Sequence, residues 1–251
     1  LGEATKVAGL LLGNDKSYET VATLGQTTDS DDSEGQVLVT RPVGDYSEQR
    51  IQDVLQEFIG DIQQVPPIYS ALKQGGEPMY LKARRGEQLD LPARAVHVDA
   101  IELLEHGHSH LRLHVQCGTG TYIRSLVRDI GEQLGCGAHV SALRRLWVEP
   151  FQDAPLWSLD ALNELALQGL QALDAQLMPV ETGLATLPKI ILTAEQAHRV
   201  GMGQKVSVPM LNAACELVQL CDESQRSLGL ASVDAMGVLR VQRLFRWASV
   251  C

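Results

Sequence analysis

Aromatic residues are scarce in this 251-residue chain, at 4%, so each tyrosine is worth weighing as a site residue. No run of eighteen apolar residues occurs, which excludes a helix long enough to span a membrane. Basic residues are in deficit, 21 against 31 acidic, for a net charge of −10. That balance argues against gripping nucleic acid by bulk charge but leaves room for a local basic groove. The five cysteines are Cys117, Cys136, Cys215, Cys221 and Cys251, and none stands in a C-x-x-C pair. A disulfide framework or zinc site is therefore not expected, and a reducing cytoplasm fits better. The opening LGEATKVAGLLLGNDK has neither a basic n-region nor an A-x-A site and reads as the inside of a helix. The chain is expected to be a piece lacking its N-terminal part.

What is present is ordinary for a folded domain: 45% hydrophobic and 21% charged residues. Residues 16–24, KSYETVATL, read as a strand, followed by an acidic loop at 25–36 and a second strand, VLVT, at 37–40. Ser47 is placed to cap a helix over 48–59, where Ile51, Val54, Leu55 and Phe58 recur at helical spacing before Gly60. Strands return at 95–105 and 110–117, the second with Leu111, Leu113, Val115 and Cys117 alternating against polar neighbours. A helix then carries Ile123, Leu126, Val127, Ile130 and Leu134 up to Gly135, and 140–150 reads as a further strand. Ser158 opens a helix to about 177, and 179–188 is punctuated as a linker. Beyond it, a T-x-x-Q capping box at Thr193–Gln196 and several short strands predict a small β-barrel.

His106, His108 and His110 alternate, but Gly107 and Ser109 between them read as a solvated hairpin turn rather than a metal site. The GTGTYIR stretch fits no phosphate loop, because Ile123 stands where a third glycine would be needed. It does bring Tyr122 and Arg124 to a strand-to-helix turn, where tyrosine can stack on a base and arginine can pair with a carboxylate or phosphate. Tyr18, mid-strand beside Lys16, is open to the same two readings, buried wall or stacking residue. Charge is segregated along the chain. Residues 1–60 carry eleven acids and four bases, whereas 73–94 has a net of +2 and 112–145 a net of +3. Two positive segments in an acidic chain suit a local RNA groove.

Three blocks, LGEATKVAGLLLGNDKSYETVATLGQTTDSDDSEG, PPIYSALKQGGEPMYLKARRGE and GTYIRSLVRDIGEQLGCGAHVSALRRLWV, together resemble the TruB-type tRNA pseudouridine synthases. The resemblance implies an α+β fold: a mixed, mainly antiparallel sheet with flanking helices (the pseudouridine synthase fold), plus a small C-terminal β-rich PUA-like module. It places the catalytic domain at 1–180 and the RNA-binding module at 187–251. It implies isomerisation of uridine 55 in the tRNA T-loop to pseudouridine, without metal or organic cofactor, in a cytoplasmic monomer with no membrane partner. Tyr18 matches the tyrosine that stacks on the flipped uracil near the C5 proton. Tyr122 and Arg124 match a pocket tyrosine and the arginine that pairs with the catalytic aspartate, and Leu143 matches an apolar pocket residue. Asp32 takes a supporting place behind these, while Lys73, Lys82, Arg84 and Arg85 would approach RNA phosphates. The family's nucleophilic aspartate belongs to a G-H-x-G-x-L-D motif preceding LGEAT, and Asp29, Asp31 and Asp32 stand in a different one. The 251 residues alone are therefore expected to be inactive. The alternative reading is a non-catalytic RNA-binding or tRNA-folding module.

Overall fold

The computed structural model describes residues 1–13, 15–70, 72–85, 87, 91–209 and 214–249. It contains strands β1 (Lys16–Leu24), β2 (Gln26–Thr28) and β3 (Val37–Thr40), helix α1 (Glu48–Gln56) and β4 (Gly60–Gln64). A short hairpin of β5 (Lys73–Gln74) and β6 (Glu77–Pro78) leads into α2 (Met79–Arg84). There follow β7 (Arg94–His106), β8 (His110–Cys117), α3 (Ile123–Leu134) and β9 (Ala138–Val148). The C-terminal part holds α4 (Leu159–Leu167), α5 (Leu170–Asp174), β10 (Lys189–Ile191), α6 (Ala194–Gly201), β11 (Cys215–Cys221), β12 (Ser227–Val233) and β13 (Leu239–Leu244).

Two compact units emerge: Gly13–Asp153, and Leu1–Leu12 together with Ala154–Cys251. This division differs from the sequence-based boundaries at 180 and 187. For residues 1–12 the reason is their packing: they form a 3-10 helix over Gly2–Gly13. Val7 is buried with Leu184, Leu230 and Phe245, and the Glu3 carboxylate accepts from the Arg246 amide.

In the first unit, five strands pair in the order β4-β7-β8-β1-β9, antiparallel throughout. The alternation in β8 works as its sequence requires: Leu111, Leu113, Val115 and Cys117 are buried in one core with Val54 and Leu55 of α1 and Leu126, Val127 and Ile130 of α3. Ser47 caps α1 by accepting from the Arg50 amide. Gly135 closes α3 at φ +92°, a left-handed conformation that suits glycine. Strand β4, unforeseen in the sequence, begins where α1 was expected to end.

In the second unit, the expected long helix from Ser158 is two helices, α4 and α5, because Gly169 between them turns to φ +106°. The Thr193–Gln196 capping box starts α6 with both reciprocal hydrogen bonds. The strands form a four-stranded sheet, β10-β11-β12-β13, with β10 and β11 parallel. Among the described residues this sheet is open rather than a closed barrel. At 206–208 the pairing is a single bridge, Ser207 to Val238.

Candidate active site

Strand β1 lies between β8 and the edge strand β9, and the register fixes what flanks it. Tyr18 lies opposite Val115 on β8 and Arg145 on β9, and Thr20 lies opposite Leu113 and Leu143. Tyr18 is half-buried against the main core. Burial pushes its phenol above the ordinary range, the nearby Cys117 adds to this, and Arg145 opposes it. The neutral phenol is thus the resting form at neutral pH.

Helix α3 begins at the GTYIR turn. Tyr122 stands at its N-cap in an extended conformation. Its backbone is held from both sides by one side chain: the amide donates to Gln64 Oε1 at 2.8 Å, and the carbonyl accepts from Gln64 Nε2 at 3.2 Å. Gln64 is 1% exposed, so this pair satisfies an otherwise costly buried amide.

Two residues on, Arg124 reaches three partners. Its Nη1 donates to Asp32 Oδ2 at 2.9 Å and to the Ser30 carbonyl at 3.2 Å, and its Nη2 donates to the Tyr69 carbonyl at 2.8 Å. Asp32 also accepts from the Ser30 hydroxyl and from the Glu34 amide. Burial pushes the Asp32 carboxyl up, but these donors and Arg124 outweigh it, and its net position is below the usual carboxylate range. The acidic loop carrying it is seated on β9, where the Val140 amide donates to the Asp31 carbonyl and the Ser33 amide to the Val140 carbonyl.

A cleft of about 510 Å³ opens beside this pair, lined by Asp29, Ser30, Asp32, Glu34, Tyr69 and Arg124 among others. A neighbouring cleft of about 270 Å³ shares Asp32 and Arg124 and adds Val140, Ser141, Ala142 and Leu143. Asp32, Arg124 and Leu143 are therefore brought together around contiguous space. Tyr122 adjoins them along the chain, and Tyr18 belongs to the strand next to that of Leu143.

The basic residues divide. The side chains of Lys73 and Arg84 lie outside the described residues. Lys82 is on α2, and its charge acts on Glu77. Arg85 is engaged by two acids: Nη1 and Nη2 donate to the two Glu77 oxygens at 2.6 and 2.9 Å, and Nε to Glu87 at 2.8 Å. The sequence-based site also missed Gln64 and Arg128, whose partners are distant along the chain and visible only once folded. Ser141 through Arg145 form an exposed run on β9, an edge strand; Arg144 lines a separate small cleft with Glu19 and Leu143, and Arg145 lies opposite Tyr18.

Among the described residues no group of three His, Cys, Asp or Glu side chains could hold a metal ion. His108 faces Asp45 at 3.5 Å and His110 faces Glu105 at 3.4 Å, as solvent-exposed pairs of the β7–β8 turn. The described cysteines are free thiols, and burial pushes that of Cys117 up to about 11. No helix of the described residues is long and apolar enough to cross a membrane.

Comparison with known proteins bears on this geometry directly. Residues 1–123 match the TruB family pseudouridylate synthase N-terminal domain, 124–185 the tRNA pseudouridylate synthase B C-terminal domain, and 188–245 the pseudouridine synthase II TruB C-terminal region. Over 244 residues the chain is 52% identical to tRNA pseudouridine synthase B of Xanthomonas axonopodis pv. citri (strain 306), covering 97% of this chain and 78% of that protein. The namesake from Actinobacillus pleuropneumoniae serotype 5b (strain L20) is 42% identical, over 97% of this chain and 80% of that one. The fold resembles a crystal structure of a Cbf5-Nop10-Gar1 complex at a TM-score of 0.71 and 26% identity, covering 97% of this chain and 70% of that chain. An H/ACA RNP bound to a substrate RNA containing 2'-deoxyuridine matches at 0.70 and 25%, over 98% and 70%. With such identity along nearly its whole length, the chain belongs to the TruB family of tRNA pseudouridine synthases, isomerases that convert uridine in tRNA to pseudouridine.

Proposed function

We propose that this chain builds the pocket for uridine 55 of the tRNA T-stem-loop as part of a cytoplasmic enzyme. The observation that carries the reading is the Arg124–Asp32 pair in the wall shared by the two clefts. The reaction breaks the N1–C1′ bond, joins C1′ to C5, and exchanges the C5 proton for one on N1. A base inside a helix stack cannot undergo this, so the uridine must be flipped out into a dry pocket. Tyr18, Tyr122 and Leu143 supply aromatic and apolar walls for it. A carboxylate must act at the base or the sugar, and Arg124 keeps it ionised. A guanidinium has five N–H donors, and the three hydrogen bonds described leave capacity for a second carboxylate beside Asp32. The neutral Tyr18 phenol first serves as a stacking wall and hydrogen-bond partner. Its hydroxyl is also our candidate for taking the C5 proton late in the reaction, in a step in which it passes its own proton on to solvent so that no free phenolate has to form first. The second unit, with its sheet and capped helix, extends the RNA contact as a PUA-like module.

The test uses the full-length enzyme and C5-tritiated RNA. A T-stem-loop hairpin should release tritium, and the same hairpin with cytidine at position 55 should not. Arg124→Ala should lower the single-turnover rate by the equivalent of about 2–5 kcal/mol while leaving affinity for the hairpin largely intact. A variant that loses affinity yet keeps its single-turnover rate would make Arg124 a phosphate contact instead.

A further inference from the structure

One turn after Arg124 on α3 stands Arg128, and it makes a second set of contacts of the same kind. Its Nη1 donates to Asp31 Oδ2 at 2.9 Å, its Nη2 to the Val65 carbonyl at 3.0 Å, and its Nε to Asp129 Oδ1 at 2.8 Å. Arg124 holds Asp32 and the Tyr69 carbonyl. The two arginines therefore grip the same two segments, the acidic loop and the 65–69 stretch, at successive rungs. Residues four apart on a helix share a face, so this double grip follows directly from the R-x-x-x-R spacing in GTYIRSLVR.

We infer that Arg128 is a positioning residue for the isomerisation: by neutralising Asp31 it keeps Arg124 committed to Asp32 and to the reacting carboxylate. The inference rests on the reading of Arg124 given above. Asp31 and Asp32 are adjacent, and Asp31 sits at φ +62°, a left-handed conformation rare outside glycine. That turn sends the two carboxylates to different arginines. Asp31 is 8% exposed, and burial pushes its carboxyl above the usual range against the pull of Arg128, with Asp129 adding to the rise and Arg124 acting on it more weakly. Without Arg128, the Asp31 carboxylate has Arg124 as its remaining nearby cation, in competition with Asp32. A displaced Arg124 would slow the chemical step without touching the surface that binds tRNA.

The experiment compares Arg128→Gln, the double variant Arg128→Gln with Asp31→Asn, Arg128→Lys and Arg124→Ala in the full-length enzyme. Single-turnover tritium release, tRNA affinity and thermal unfolding are read for each. Arg128→Gln should slow release about 10–100-fold with affinity within about twofold of wild type. Adding Asp31→Asn should recover most of that rate, because the competing charge is gone. Rescue by removing a second native partner is something a merely structural role would not show. A wild-type rate in Arg128→Gln, a loss confined to tRNA affinity, or a double variant no faster than the single would each overturn the inference. Should Arg128→Gln fail to fold, Arg128→Lys keeps the charge that neutralises Asp31 and should keep most of the wild-type rate, and a folded Arg128→Lys slowed as far as Arg124→Ala overturns the inference. If Arg124→Ala loses its rate while Arg128→Gln keeps it, this inference alone fails. A wild-type rate in Arg124→Ala would take down the underlying reading as well.

Discussion

Asp31 and Asp32 are neighbours of identical chemistry whose environments pull them apart. Burial dominates at Asp31 and raises its carboxyl, whereas at Asp32 the Ser30, Glu34 and Arg124 donors outweigh burial and lower it. The consequences for stability have opposite signs. The ionised Asp32 is favoured by folding, so its contribution is complete above the ordinary carboxylate value of about 4 and is lost as pH falls through the lowered folded value. Asp32→Asn should therefore be less stable than wild type at pH 6, and the gap should narrow on acidification toward pH 3. Urea midpoints across that range are the measurement. A gap that stays constant or widens would mean that Asp32 gains nothing in the folded state by being charged.

Helix α3 is the element on which the site depends, since it carries Tyr122 at its start and both arginines on one face. Its seat is the close approach of Gly131 to the following strand. A Cβ on Gly131 would overlap the Ala138 backbone nitrogen and side chain, and the Gly137 amide already donates to the Gly131 carbonyl at 2.8 Å. Gly131→Ala is expected to destabilise the fold by about 1–3 kcal/mol and to slow turnover as Arg124 shifts. A thermal unfolding midpoint and single-turnover rate equal to wild type would refute that close approach. Much of this element could be read in advance: the apolar spacing from Ile123 to Leu134 and the stop at Gly135 are local signals, as are the alternation in β8 and the cap at Ser47. What escaped was non-local. GDIQQ gives no clean period-two pattern, so β4 becomes a strand only through its pairing with β7. The roles of Gln64 and Arg128 depend on partners 58 and 97 residues away. The same holds for Leu1–Leu12, whose place with the C-terminal unit rests on burial of Val7 rather than on any periodicity.

At the scale of the whole molecule, a chain of net charge −10 binds a polyanion, so affinity must come from particular cations rather than from the average field. The sequence alone nominates the cluster around Arg84 and Arg85. Folding changes the weight of Arg85, because Glu77 and Glu87 already hold its guanidinium and largely cancel its field. Releasing counterions from a phosphate requires an arginine that is free to replace them, and each such contact steepens the dependence of log K on log salt by roughly one unit. Arg144, in the exposed run on the edge strand β9 next to Leu143, meets that requirement better. Arg144→Ala should weaken tRNA binding most at low salt and flatten the line by about one unit, whereas Arg85→Ala should leave the slope nearly as it was. Affinities at three salt concentrations for both variants decide the matter. A slope that falls with Arg85→Ala and not with Arg144→Ala would mean that tRNA displaces Glu77 and Glu87 on binding, and that the RNA path follows α2 rather than the β9 edge.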